Sequence, residues 1–225
     1  MIKSITVIAV LSTMPTTAVL AGTMIGKIMN NHANAITISA SNSVDELIPP
    51  DYAFVQNRKV TVDGEQVELI RYEREDGRSD GIGGEHFSLV LDELGKIKGF
   101  TRMDAALAIG ELPSRDDARV IAIDFLKQFT PDLLATMKLS WVEPHDEPIQ
   151  VTRNGKTEKI TLTGMKVKMR NTSDGLWFWV IVGSDRKVMV FERDIVWITF
   201  PGHRKTEKWL HDSWVIENGL LTSDY

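Results

Sequence analysis

The 225-residue chain contains no cysteine. That single absence removes thiol nucleophiles, thiolate metal sites, iron–sulfur ligation and disulfide stabilisation. It also removes lipoprotein anchoring through a cysteine. Catalytic signatures are missing as well: there is no Gly-x-Ser-x-Gly elbow, no Walker loop, no Gly-x-Gly-x-x-Gly opening a helix and no His-Glu-x-x-His. The Gly-rich stretch "DGIGGE" lies between strand-like runs, where a flexible loop is expected and not a phosphate cradle. A third absence is local, since Met1 to Ala35 holds no Asp or Glu.

What fills that acid-free start is Lys3, an apolar run "ITVIAVLSTMPTTAVLAG" and an Ala-x-Ala site at Ala33 and Ala35. This is the layout of a secretory signal peptide, with cleavage expected after Ala35. An uncleaved signal anchor is the alternative, because Ile5 to Ile25 approaches the ~20 residues needed to span a bilayer. A buried first helix would be poorly served by Pro15 and by the lack of an amphipathic stripe. The full chain has 26 basic and 31 acidic residues, net −5. Loss of Lys3 and Lys27 with the leader leaves 24 against 31, net −7. Such a charge disfavours nucleic acid as a partner. Export to the periplasm or cell envelope is the expected address, with membrane contact only through an uncleaved N-terminal segment. Over the whole chain, 43% hydrophobic and 25% charged residues are ordinary for a folded protein of this length.

Residues 36–51 are polar, end in "IPP" and read as a linker. Residues 52–112 form an N-terminal β-rich unit. Within it, strand-like runs flank Asp63-Gly64, a strong hairpin signal, and "FSLVLDELGKIKGFTRM" alternates around a Glu-Leu-Gly turn. Residues 113–200 give a helix followed by antiparallel strands. Ser114 is the expected N-cap, Asp116 and Asp117 suit the positive first turn, and Thr130-Pro131 stops the helix. Ala118, Ile121, Ala122, Phe125, Leu126 and Phe129 make its apolar stripe. Next come a strand "KLSWVEP", a loop "HDEP" and a hairpin turning at Asn154-Gly155. The run "TGMKVKMR" then puts Met165, Val167 and Met169 on a buried face and Lys166, Lys168 and Arg170 on a wet one. In "LWFWVIV" both faces are apolar, as in a central strand covered on both sides or one whose second face meets a partner. Residues 201–225 are a Trp-rich extension with a short helix expected in "RKTEKWL".

The two phrases "FSLVLDELGKIKGFTRM" and "WFWVIVGSDRKVMVFER", each strand, turn and strand, are separated by the amphipathic helix "PSRDDARVIAIDFLKQF". This arrangement resembles the PepSY-like and YcdB-type modules of exported bacterial proteins, over roughly residues 85–197. The resemblance implies an α+β fold, antiparallel sheets with one main amphipathic helix packed on a sheet and a cystatin-like outline. It further implies a noncatalytic module that binds or restrains peptidases and other envelope partners. The insertion "EPHDEPIQVTRNGKTEKIT" and the Trp-rich tail depart from the simple module.

Two clusters hold the candidate chemistry. Glu143, His145, Asp146 and Glu147 offer imidazole and carboxylate ligands for a metal or an acid–base pair, although Pro144 and Pro148 already account for the segment as an exposed turn. His86, His203 and His211 have no partner evident in the sequence. The second cluster is aromatic and cationic: Trp177, Trp179, Trp197, Trp209 and Trp214 with Arg204, Lys205 and Lys208. Either these rings cap the core, or they form a surface for a protein, a glycan or a lipid headgroup. No cofactor is expected. The preferred expectation is an exported noncatalytic binding or inhibitory module acting on a protein such as a peptidase. Its alternatives are an envelope enzyme with a dispersed, metal-assisted site and an immunity-type or structural envelope protein.

Overall fold

Eight of the strands build one antiparallel sheet. The structure, a computed structural model, describes residues 44–79, 81–153, 155–200 and 202–220; the expected leader and the linker up to residue 43 lie outside them. Strands β1 (Tyr52–Val62), β2 (Glu65–Arg74), β3 (His86–Asp92) and β4 (Ile97–Met103) form one meander. Helix α1 (Arg115–Phe129) then carries the chain to the opposite edge. From there β5 (Met137–Arg153), β6 (Lys156–Asn171), β7 (Trp177–Val182) and β8 (Val188–Ile195) return inward. The order is β1-β2-β3-β4-β8-β7-β6-β5, so the meanders meet where Thr101 pairs with Val190 and Gly99 with Glu192. This is an α+β protein with a large antiparallel sheet and one main helix.

Local chemistry explains most of the element ends. Asp63 (φ 50°) and Gly64 (φ 87°) both take the left-handed conformation that a two-residue hairpin turn needs, and Val62 faces Glu65 across it. In the β3–β4 turn the Asp92 carboxylate accepts from the Leu94 and Lys96 amides. Ser114 caps α1 by accepting from the Asp117 amide at 3.1 Å. The stripe of α1 buries Ala118, Ala122, Phe125 and Leu126 on one sheet face, among Phe87, Phe100, Phe178 and Phe191. Val44, Leu47 and Ile48, just before β1, pack against the same core.

The opposite face is covered by the C-terminal chain. A two-stranded ribbon, β9 (Trp197–Ile198) with β10 (His203–Arg204), leads into a strap that ends in helix α2 (Asp212–Glu217). Trp209, Leu210, Trp214 and Val215 bury against Val62, Val67, Leu69 and Val90. The Trp209 ring approaches so closely that a Cβ on Gly99 would fall 2.6 Å from it. Glycine is required there for space, not for backbone freedom.

Three local expectations are corrected. "HDEP" is no loop: His145 pairs with Gly164 and Glu147 with Leu162 inside the long β5–β6 ladder. Pro144 and Pro148 are tolerated because β5 is an edge strand, which needs no outward N–H bonds. "RKTEKWL" is no helix, since Arg204 pairs with Trp197 and the Thr206 hydroxyl accepts from the Val196 amide at 2.7 Å. Those tertiary contacts outweigh a weak local helical preference. Finally, the Lys166 face of β6 is not simply wet: Lys166 is 8% exposed. The reason lies far away in sequence, in the ribbon and strap that cross that face. Strand β7, between β8 and β6, is covered on both sides: Phe178, Val180 and Val182 lie in the helix-side core, and Trp179 and Ile181 in a cluster with Met189 and Val190.

Candidate functional site

The strap-side face carries a band of polar residues that the cross-strand register brings side by side. Arg71 on β2 faces Ser88 on β3, and Ser88 faces Thr101 on β4. Glu73 pairs with His86 and His86 with Met103. From the other meander come Lys166 and Lys168 on β6, Trp177 and Trp179 on β7, and Glu192 on β8. Register alone therefore collects groups from positions more than a hundred residues apart.

One end of the band is an ion-pair knot. Arg71 donates to Glu73 at 2.6 Å and, through both terminal nitrogens, to Asp212 at 2.7 and 3.3 Å. Asp212 also accepts from the Gly83 amide. Burial opposes its ionisation, but the charges of His86 and Arg71 and the hydrogen bonds from Arg71 and Gly83 hold its carboxyl down at about 2. His86 stands beside this pair with Nε2 3.8 Å from Asp212 Oδ1. Burial, reinforced by the Arg71 charge, lowers its pKa to about 4. It is therefore neutral near pH 7, with Nδ1 3.0 Å from the Gly84 carbonyl.

The other end is aromatic and cationic. The Lys166 ammonium sits 3.9 Å from the centre of the Trp179 ring, and the Arg204 guanidinium is 5.5 Å from the same ring. Glu192 accepts from Trp179 Nε1 at 2.9 Å and pairs with Arg204 at 2.7 Å. Burial, only partly offset by Glu192 and Glu147, pushes Lys166 down to about 8. One step along, the Lys168 ammonium lies among three indoles, 4.5 Å from Trp177, 4.5 Å from Trp197 and 5.4 Å from Trp141. Burial lowers its pKa too.

Between strap and sheet these groups line two adjoining spaces. An inner chamber of about 60 Å³ is lined by His86, Thr101, Glu192 and Asp212 among others. A wider groove of about 630 Å³ adds Lys166, Trp179, Trp197, Arg204 and Lys208. Glu147, Pro148, Glu192 and His211 line both.

The structure gathers some expected residues and separates others. Trp179, Trp197, Arg204 and Lys208 share the groove, and Trp177 flanks it through Lys168. Lys205 is exposed, and without a helix in "RKTEKWL" it is not one helical turn from Trp209. Trp209 and Trp214 are 1% and 7% exposed and belong to the strap core. Of the acidic cluster, His145 and Glu147 meet at 3.2 Å, Glu143 is exposed, and Asp146 accepts from the Thr163 hydroxyl. Among the described residues no group of three His, Asp or Glu is arranged to hold a metal. Sequence reading missed Arg71, Thr101, Glu192, Lys166 and Asp212. The available signal was polar residues on one parity within otherwise apolar strands.

Comparison with protein-family models, with curated proteins and with solved structures finds no significant match.

Proposed function

We propose that this protein is an exported, noncatalytic binding or inhibitory module of the bacterial cell envelope, acting on a protein partner such as a peptidase. The observation that carries the reading is the groove beneath the ribbon, where Lys166, Arg204 and Lys208 alternate with Trp179 and Trp197. Indole rings offer large contact area at low conformational cost, and fixed cations meet carboxylates at an interface. Trp197, 40% exposed, and the ribbon tip at Phe200, 88% exposed, extend that surface outward. Supporting the address are the acid-free apolar start and its Ala-x-Ala site. The PepSY-like resemblance agrees with the helix-on-sheet arrangement and adds the idea of a restrained peptidase.

The test uses the full-length chain, tagged at its C terminus, as bait in envelope extract of the source bacterium. Trp197→Ala and Lys208→Glu serve as controls, because both residues are exposed and their loss spares the core. The expected result is a stoichiometric protein partner that both variants lose. A partner retained by both, or none at all, would overturn the reading. Lys166 favours a second reading as an enzyme: its ammonium has a lowered pKa and makes no hydrogen bond among the described residues. Turnover of an envelope substrate that is abolished in Lys166→Met would select it.

A further inference from the structure

The inner chamber has an unusual hydrogen-bond polarity. His86 is 4% exposed, and its Nε2 has no hydrogen-bond partner among the described residues. With Nδ1 as the donor to Gly84, Nε2 carries a lone pair and can only accept. Its charged neighbour at 3.8 Å, Asp212 Oδ1, is another acceptor. Thr101, 2% exposed, lines the same chamber, and its hydroxyl is likewise unpartnered among the described residues. Two acceptors and a hydroxyl thus line one chamber whose wall holds no Lys or Arg, the neighbouring cation, Arg71, being already paired with Asp212. Leaving His86 Nε2 and the Thr101 hydroxyl without a partner costs ~1–3 kcal/mol each, whereas Asp212 already accepts from Arg71 and Gly83 and keeps one lone pair on Oδ1. The chamber asks for a group bearing several N–H or O–H bonds.

The outer groove has the opposite character. Arg204 is paired with Glu192, but the Lys166 ammonium touches only a ring, and Lys208 is exposed. Both are available to anions. The two spaces have Glu147, Pro148, Glu192 and His211 in common and so lie side by side.

We infer that the chamber receives a primary ammonium group: the side chain of a lysine, flanked by acidic residues, on the protein partner. The inference rests on the binding-module reading and names what the partner presents. An ammonium has three N–H donors. One goes to His86 Nε2, one to the remaining lone pair of Asp212 Oδ1 and one to the Thr101 oxygen, while the Glu147 and Glu192 carboxylates in the same wall favour a positive charge. The flanking carboxylates lie at Lys166 and Lys208. A guanidinium is planar, bulkier than an ammonium, and holds its donors in a fixed fork. A hydroxyl brings one donor and water two, fewer than the three acceptors.

The experiment titrates the ¹⁵N-labelled full chain with two blocked tripeptides, N-acetyl-Asp-Lys-Asp-amide and N-acetyl-Asp-norleucine-Asp-amide. They differ only in the ammonium group. The lysine peptide is expected to bind at least about tenfold tighter, equivalent to ~1.4 kcal/mol, and to move the His86 Nε2 resonance. The norleucine peptide should leave that resonance in place. Thr101→Val, which preserves shape and removes one acceptor, should weaken the lysine peptide several-fold and leave the norleucine peptide unchanged. Equal affinity for both peptides, or an unmoved His86, means that the chamber holds water only and overturns the inference. If both peptides then still shift the Trp197 indole, the groove reading survives alone. Failure of the lysine peptide to bind also overturns the inference, while the bait experiment decides the wider reading independently.

Discussion

The two faces of the sheet are built on different principles. Under α1 the centre of the cover is apolar: Phe87, Phe100, Phe125 and Phe191 form a chain of rings with centroids 5.1 to 5.7 Å apart, and ion pairs of Asp132 with Arg193 and Lys96 stand only at its margin. The register of that face is set by hydrophobic alternation. Beneath the strap, apolar contacts at Trp209 and Trp214 share the work with Arg71, Asp212, His86, Glu192 and Lys166. Buried charges are costly unless paired, and a well-packed apolar face would be at least as stable. Stability alone gives no reason for a polar band under the strap, and the groove runs along that band.

The largest expected effects test whether the faces are energetically separate. Phe191→Ala and Trp209→Ala each remove a fully buried ring and should each cost about 3–5 kcal/mol in urea unfolding. Their spatial signatures should differ. Amide exchange in Phe191→Ala should accelerate throughout α1 and the central strands. In Trp209→Ala the acceleration should concentrate in residues 204–220 and β1 to β3, with α1 still protected. Uniform loss of protection in both variants would make the faces one cooperative unit and erase the contrast.

The helix face was also the legible one. Ser114, the stripe of α1 and the alternation of Phe87, Leu89 and Leu91 are local signals, complete within a few residues. The hairpins at Asp63-Gly64 and around Gly95 are equally local. The strap face could not be read this way. The burial of Lys166 depends on a ribbon that begins some thirty residues later, and "KVKMR" alternates as any half-wet strand would. His86 had no visible partner because Asp212 lies 126 residues away by numbering. Trp209 read equally well as core or surface until the space above Gly99 was known. Pairs joined by register and a crossing segment leave only a faint trace: polar residues at core parity.

Acid should act on the strap face first. The His86 pKa is lowered from 6.5 to about 4. Between those values the unfolded chain binds the proton and the folded one does not, so stability falls as pH falls through that window. The loss is on the order of 3 kcal/mol, because each tenfold weakening of proton affinity is worth ~1.36 kcal/mol. Asp212, lowered from 3.8 to about 2, contributes stability that is full above 3.8 and disappears as pH falls to 2. Urea midpoints from pH 7 to pH 3 should therefore decline in two limbs. His86→Gln should flatten the limb between 6.5 and 4.5 and, because the His86 charge helps to hold the Asp212 carboxyl down, shrink the lower one as well. A midpoint constant from pH 7 to 4.5 in the unsubstituted protein would show that His86 is not held neutral by the knot.

Lys166→Met should have the smallest effect on stability and so gives the sharpest test of purpose. Methionine preserves the stem against Trp179 and removes an ammonium that makes no hydrogen bond among the described residues. Desolvating that charge costs free energy that the cation–π contact, ~1–2 kcal/mol, offsets only in part. Thermal unfolding should therefore stay within about 1 kcal/mol of the parent or rise. Binding should move the other way, with the Asp-Lys-Asp probe weakened several-fold through loss of one carboxylate partner. A stabilised protein that binds less well would mean that the charge is kept for its ligand. A strongly destabilised one would mean that Glu147 and Glu192 depend on Lys166 for their own neutralisation, and the strap face would then be a structural network like any other buried ion cluster.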